Sequence, residues 1–247
     1  MSGEYHVWDS SHLGQRFEVK TYGTRGKAMI VFPSSDGRFF DYENFGMIEP
    51  CRPWIESGKL RVISVDGRDW ETFNNASAHP SDRARRYAQW EACVIDEVLP
   101  KFGLIGPSAS GGGLIVTGCS FGSFHAANFA LRHPQLCDAA ILLSGIYSLR
   151  HYLGDYCDDQ VYFFDPRHYL PNLTDERQLA AIRKVRLILC CGQGPHEEEC
   201  LAETRHFSSL LNEKRIPHWL DLWGYDVAHD WPWWREQLHY FLEKLNL

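Results

Sequence analysis

Five residues, Gly118-Cys119-Ser120-Phe121-Gly122, constrain this chain more than any other stretch. They lie between an apolar, β-rich run, Leu114-Ile115-Val116-Thr117, and a run of helical character over residues 123–133. Glycine on both sides of a serine lets the backbone reverse sharply. Strand, tight turn, then helix is the context in which such a turn lifts a serine hydroxyl clear of a sheet, with the N-terminal amides of the helix directed toward it. A bare G-x-S-x-G is common by chance, and the flanking elements make this one specific. Ser120 is therefore the candidate nucleophile, and the expected fold is α/β.

The chain has 247 residues, 44% of them hydrophobic, which suits a single α/β domain over residues 1–247 with a sizeable core. A formal net charge of -7 and the lack of any basic block argue against a nucleic-acid partner. The first residues show no signal-peptide pattern, and no apolar run approaches the ~20 residues of a membrane span, so a cytoplasmic location away from membranes is expected. Several of the eight cysteines, Cys190 and Cys191 among them, sit inside apolar runs, and no C-x-x-C occurs. They read as buried, reduced thiols rather than a zinc or dithiol centre.

Hydrophobic patterning predicts strands over 17–22, 27–33, 60–66, 139–145, 185–191 and 218–223, with the first antiparallel. Helices are predicted over 81–99, with Ser81 as N-cap, and over 231–245. Alternating strands and helices argue for a mostly parallel sheet covered on both faces. The glycine-rich segment 108–113 lacks the lysine and following helix of a phosphate-binding loop and reads as a connector. Between about 149 and 175 the pattern breaks down. Seven aromatic residues from Tyr147 to Tyr169 crowd there with four aspartates, as an irregular excursion that either walls a substrate site or simply packs.

A serine hydroxyl needs a base and an oxyanion-binding pair. In the α/β-hydrolase arrangement the order is serine, acid, histidine. Of twelve histidines, His229 is the one placed after the last strand and just before the last helix, where the base is required. His125, His133 and His239 fall inside helices, and His206 and His218 precede or lie within the last strand. The acid should follow the strand ending at Cys191, where Glu197, Glu198 and Glu199 are adjacent. Glu197 is nearest the strand and is preferred. Glu198 and Glu199 remain alternatives, since acids also favour a first helical turn, and Asp226 is a further candidate in the histidine's own loop. The oxyanion donors are assigned to the backbone amides of Phe121 and Ser35, with Ser34 the alternative to Ser35. Cys119 is expected to point into the protein. Trp231 and Trp234, three apart, should share a helix face and serve mainly as core.

The Gly118–Gly122 motif together with His229-Asp230-Trp231-Pro232-Trp233-Trp234 resembles the esterase D-like "putative esterase" family, which includes feruloyl and enterochelin esterases and bacterial mycolyltransferases. Phe32-Pro33-Ser34-Ser35 and Asp165-Pro166-Arg167-His168-Tyr169-Leu170 are similar to segments of that family, and the likeness runs from about residue 17 to 242. It implies an α/β-hydrolase fold and a serine carboxylesterase without cofactor or metal, acting on small-molecule esters through a Ser-His-Glu triad. Here the acid is displaced into the Glu197 cluster, where the family often has Asp closer to the strand. The oxyanion loop lacks the His-Gly pair of many α/β hydrolases. Acyl transfer by the same triad and a non-catalytic binding module are the alternatives, and a homo-oligomer is compatible with the tryptophan-rich tail.

Overall fold

The structure is a computed structural model that describes residues 2–105 and 112–247. Eight strands form one sheet: β1 (Glu4–Ser10), β2 (Gln15–Tyr22), β3 (Lys27–Phe32), β4 (Leu60–Val65), β5 (Leu114–Cys119), β6 (Cys137–Leu143), β7 (Arg186–Cys191) and β8 (His218–Leu222). Their spatial order is β1-β2-β4-β3-β5-β6-β7-β8. β2 pairs antiparallel with β1 and β4, and every other pairing is parallel. This is the mostly parallel sheet expected for the α/β-hydrolase fold.

The central strands read as unbroken apolar runs because both faces are covered. Alternate residues of β3 go to opposite sides. Ile30 and Phe32 join a core with Phe121 and Phe124 of the helix Phe121–Arg132 and with Tyr87 and Trp90 of the helix Pro80–Cys93. Met29 and Val31 face Trp234, Leu238 and Phe241 of the C-terminal helix Trp231–Leu245. The parallel register pairs Phe32 with Gly118 and Cys119 with Leu143, so these strands end together along one edge. Loops leaving that edge collect Ser34, Ser35, Ser120, Ser144, Glu197 and His229, where ligands of open α/β sheets bind.

One strand has no counterpart in the sequence reading, and two local expectations need correction. β1 gives no clear pattern in the sequence because Glu4, Tyr5 and Val7 are exposed on an edge strand. The 81–99 helix is not one regular element: Pro80–Cys93 is α-helical, Val94–Val98 forms a wider π-type turn, and Leu99–Lys101 closes it. Its N-cap is His79 rather than Ser81, with the His79 imidazole accepting the Ser81 amide at 3.3 Å. Within the glycine-rich connector, residues 108–111 lie outside the described residues.

The 149–175 excursion is largely short helices, Arg150–Leu153, Asp159–Tyr162 and Pro166–Asn172, followed by Glu176–Ile182. Asp158, Asp165 and Asp175 are N-caps, which accounts for much of the acidic content. Tyr162, Phe163 and Tyr169 line a groove of about 400 Å³ beside Arg132 and His133, at the far end of the elbow helix from Ser120. Tyr152 alone of the aromatics packs against Phe121, at a ring separation of 4.4 Å. The start of the excursion therefore packs against the residue that follows Ser120.

Candidate active site

Ser120 occupies the turn between β5 and its helix with φ 56° and ψ -124°, a conformation that is costly for a residue with a Cβ. Surrounding contacts hold it there. The Ser120 amide donates to Leu143 O at 2.9 Å, and the Ser123 hydroxyl lies 2.8 Å from Gly118 O and 2.9 Å from Leu143 O. Both flanking glycines are required by close approach. A Cβ on Gly118 would collide with the Gly122 backbone, and one on Gly122 would lie 2.6 Å from both Phe32 O and Pro33 O. The elbow helix is thus seated directly on the end of β3, against Phe32 O and Pro33 O. As the first residue of the helix, Phe121 has no intrahelical acceptor for its N–H.

His229 Nε2 lies 3.1 Å from Ser120 Oγ, and its Nδ1 lies 3.1 Å from Glu197 Oε2. Glu197 is fully buried, whereas Glu198 and Glu199 are exposed in the first turn of the helix Glu198–Glu213. Asp226 is exposed in the His229 loop and is not a partner of the imidazole. Glu197 reaches the imidazole from six positions after the strand because the intervening chain takes a fixed detour. Gln193 N–H donates to Gly224 O at 3.1 Å, Gly194 N–H to Val227 O at 2.9 Å, and His229 N–H to Pro195 O at 3.0 Å. A Cβ on Gly194 would fall 2.7 Å from Tyr225 O and Val227 O. A left-handed turn at His196, φ 65°, then brings Glu197 back under the imidazole.

Two residues of this centre were not singled out by the sequence as polar partners. The Ser144 hydroxyl donates to Glu197 Oε1 at 2.5 Å and accepts the Trp234 indole N–H at 3.0 Å. Ser144 follows β6 in a left-handed conformation, φ 47°, which aims its side chain toward the acid. The Trp234 ring also meets the His229 imidazole edge-on at 4.8 Å. The His-Asp-Trp-Pro-Trp-Trp segment can therefore be decomposed physically. His229 faces the serine, Asp230 caps the last helix, Pro232 occupies its first turn, and Trp234 supports the imidazole from below. Trp231 is half-buried, stacked on Phe45 at 4.3 Å and edge-on to Trp234 at 4.9 Å.

Ser35 is exposed in a turn closed by Gly37 N–H to Ser34 O at 2.8 Å, and its hydroxyl accepts from Asn74 Nδ2 at 3.0 Å. Cys119 is buried, and burial pushes its thiol well above the usual range, so it is not a competing nucleophile. All eight cysteines are free thiols, and seven are buried. Among the described residues, Glu197, Cys200 and His229 bring ligand-type atoms within 4.8 Å of one another. Glu197 and His229 are already bonded to each other, and burial drives the Cys200 thiol upward, which disfavours the thiolate a soft metal needs. His125, His133, His206, His218 and His239 have no contact with Ser120 Oγ; His125 instead pairs with buried Asp69. No helix among the described residues is long and apolar enough to cross a membrane.

The family described as "Putative esterase" matches residues 43–245, and the chain belongs to it. Three solved structures share the fold over nearly the whole chain. A ferulic acid esterase superposes with a TM-score of 0.76 at 15% identity, covering 99% of this chain and 97% of its own. An S-formylglutathione hydrolase from Agrobacterium tumefaciens gives 0.74 at 15% identity, covering 98% and 93%. One from Staphylococcus aureus gives 0.70 at 17% identity, covering 99% and 96%. No curated protein matches the sequence. The chain is a serine esterase of the α/β-hydrolase type.

Proposed function

We propose that this esterase hydrolyses small carboxylic esters through an acyl-enzyme, with Ser120 as nucleophile, His229 as base and Glu197 as the acid that orients it. The observation that carries this reading is the unbroken chain from Ser120 Oγ to His229 Nε2 and from Nδ1 to Glu197, at 3.1 Å for each step. Glu197 holds the proton on Nδ1, which leaves Nε2 free to accept. Ser120 Oγ bonds to the ester carbonyl carbon as its proton passes to Nε2. The tetrahedral oxyanion lies against the backbone amides of Phe121 and Ser35. His229 returns the proton to the departing alkoxide, the C–O bond to the alcohol breaks, and the acyl group remains on Ser120. Water then attacks with the roles repeated, releasing the acid and restoring the serine.

Tyr152 against Phe121, and Trp231 stacked on Phe45, supply apolar surface near the turn and support an apolar or aromatic group on the ester. The free thiols support a reducing, cytoplasmic setting.

The test is labelling with a fluorophosphonate probe beside hydrolysis of p-nitrophenyl acetate. Wild type should be labelled and active, and Ser120→Ala should lose both by several orders of magnitude in rate. Full hydrolysis by Ser120→Ala would refute the scheme. Adding acceptor alcohols distinguishes acyl transfer, which would yield new esters in place of free acid.

A further inference from the structure

A second acid–histidine pair lies behind the oxyanion turn, and we propose that its acid, Asp69, is a positioning residue for that turn. The proposal rests on the assignment of Ser35 as an oxyanion donor. Asp69 Oδ2 accepts the backbone N–H of Asp36 at 3.0 Å, while Oδ1 faces His125 Nε2 at 3.1 Å. His125 Nδ1 faces the Tyr87 hydroxyl at 3.2 Å. Asp69, His125 and Tyr87 are each no more than 2% exposed. Burying a carboxylate is costly unless its oxygens are bonded, and one of these bonds goes to the peptide that links Ser35 to Asp36.

That peptide is the central one of the turn closed from Gly37 N–H to Ser34 O. Asp36, at the third position, has φ 53°, where glycine is the usual occupant. Type I and type II turns differ by a flip of this central peptide, and an aspartate alone would favour the form with negative φ. Asp69 holds the left-handed form by accepting the Asp36 amide. A flip would replace that N–H with the Ser35 carbonyl oxygen, facing a carboxylate. A flip turns about Ser35 ψ and Asp36 φ and leaves the Ser35 N–H on the preceding peptide, so Asp69 acts on that donor by fixing the form of the turn that carries it. Asn74, from the same segment, secures the Ser35 hydroxyl at 3.0 Å.

The other end of the network reaches the nucleophile's helix. His125 is one turn beyond Phe121, and the two rings meet at 4.6 Å. The Asp69–His125 pair thereby ties the turn carrying one oxyanion amide to the helix carrying the other. Packing alone could be met by apolar side chains of similar volume.

The test compares kcat and KM for p-nitrophenyl acetate with melting temperature. Asp69→Ala should lower kcat about 10- to 100-fold, less than outright loss of a strong oxyanion donor, with KM changed less than about twofold. Asp69→Asn keeps an acceptor for the Asp36 amide and should recover most of the rate. Asp36→Gly added to Asp69→Ala should recover part of it, since glycine adopts positive φ without a tether. Tyr87→Phe removes the outermost bond and should lower the melting temperature with kcat unchanged. Asn74→Ala, near the surface, gives a several-fold loss in kcat even if Asp69→Ala fails to fold. Wild-type kcat in Asp69→Ala, or in Asn74→Ala where Asp69→Ala does not fold, overturns the proposal. So does a loss in Asp69→Ala that neither Asp69→Asn nor Asp36→Gly relieves. Failure of the underlying reading shows separately, as an unlabelled wild-type serine or an active Ser120→Ala.

Discussion

Glu197 Oε1 accepts a 2.5 Å hydrogen bond from the Ser144 hydroxyl, whose own oxygen accepts the Trp234 indole at 3.0 Å. Ser144→Ala leaves Glu197 Oε1 with the Gly192 amide at 3.4 Å and leaves the Trp234 N–H without its acceptor. An unsatisfied buried polar group costs about 1–3 kcal/mol. That cost falls on stability; the looser hold on Glu197, and through it on the His229 tautomer, should lower kcat on the order of tenfold at nearly unchanged KM. Ser144→Gly separates hydroxyl from backbone: it relieves the positive φ, so it should melt higher than Ser144→Ala while remaining equally slow. A fast Ser144→Gly would show that the hydroxyl is not needed.

The three adjacent glutamates differ sharply in environment, and single amide substitutions should reveal it. Glu197→Gln places an amide opposite His229 Nδ1 and disfavours the tautomer with Nε2 free, so kcat should fall by about two to four orders of magnitude. Glu198→Gln and Glu199→Gln alter exposed side chains and should stay within about twofold of wild type. Steady-state ester hydrolysis by the three variants decides the matter, and equal effects would remove Glu197 from its role.

Gly122 touches β3 through its missing side chain. A Cβ there lies 2.6 Å from two backbone oxygens, Phe32 O and Pro33 O, neither of which is the end of a flexible group. Gly122→Ala should therefore cost about 1–3 kcal/mol of stability, or roughly 2–12 °C in melting temperature for a domain of this size. It should also reduce kcat, because the helix moves away from the Ser34–Ser35 turn. Calorimetry and kinetics on one preparation test both, and an unshifted melting temperature would contradict the packing.

Glu97 fastens the edge hairpin. It accepts bonds from Trp8 Nε1 at 2.7 Å, Ser10 Oγ at 3.0 Å, Ser11 Oγ at 2.8 Å and the His12 amide at 3.2 Å. Burial alone would raise its carboxyl, but these bonds outweigh it and hold the group down at about 2. In the unfolded chain a glutamate titrates near about 4.3, so between these values the unfolded state binds more protons and stability rises with pH. The stabilisation is fully present above the unfolded value and is lost as pH falls toward about 2. Urea melts of wild type and Glu97→Gln should show a gap at pH 7 that closes through this acid window. A pH-independent gap would exclude the linkage.

Elements with strong local signals were legible from residue types alone. β3, β5, β6 and β7 are apolar runs bounded by turn formers, and the elbow declares itself by two glycines around a serine. The last helix begins at Trp231 as read, because Asp230 and Pro232 are local start signals. β1 was not legible because an exposed edge strand has no apolar alternation to find. Among Glu197, Glu198 and Glu199 the chemistry is identical; what separates them is burial, set by backbone pairing between segments some thirty residues apart. Ser144 lies 53 positions from Glu197, and Asp36 lies 33 from Asp69. Neither contact leaves a periodic or motif-level trace, since each depends on which loops the sheet order brings side by side.

The main-chain bonds joining 193–195 to 224–229 make two distant stretches behave mechanically as one part. Grafting both onto a related sheet should transfer a working acid–imidazole unit, whereas either stretch transplanted singly would arrive without its mate. Within that part, exposed side chains such as Tyr225 and Asp226 have freedom to vary, so new selectivity can be engineered on its outer surface without retuning proton transfer.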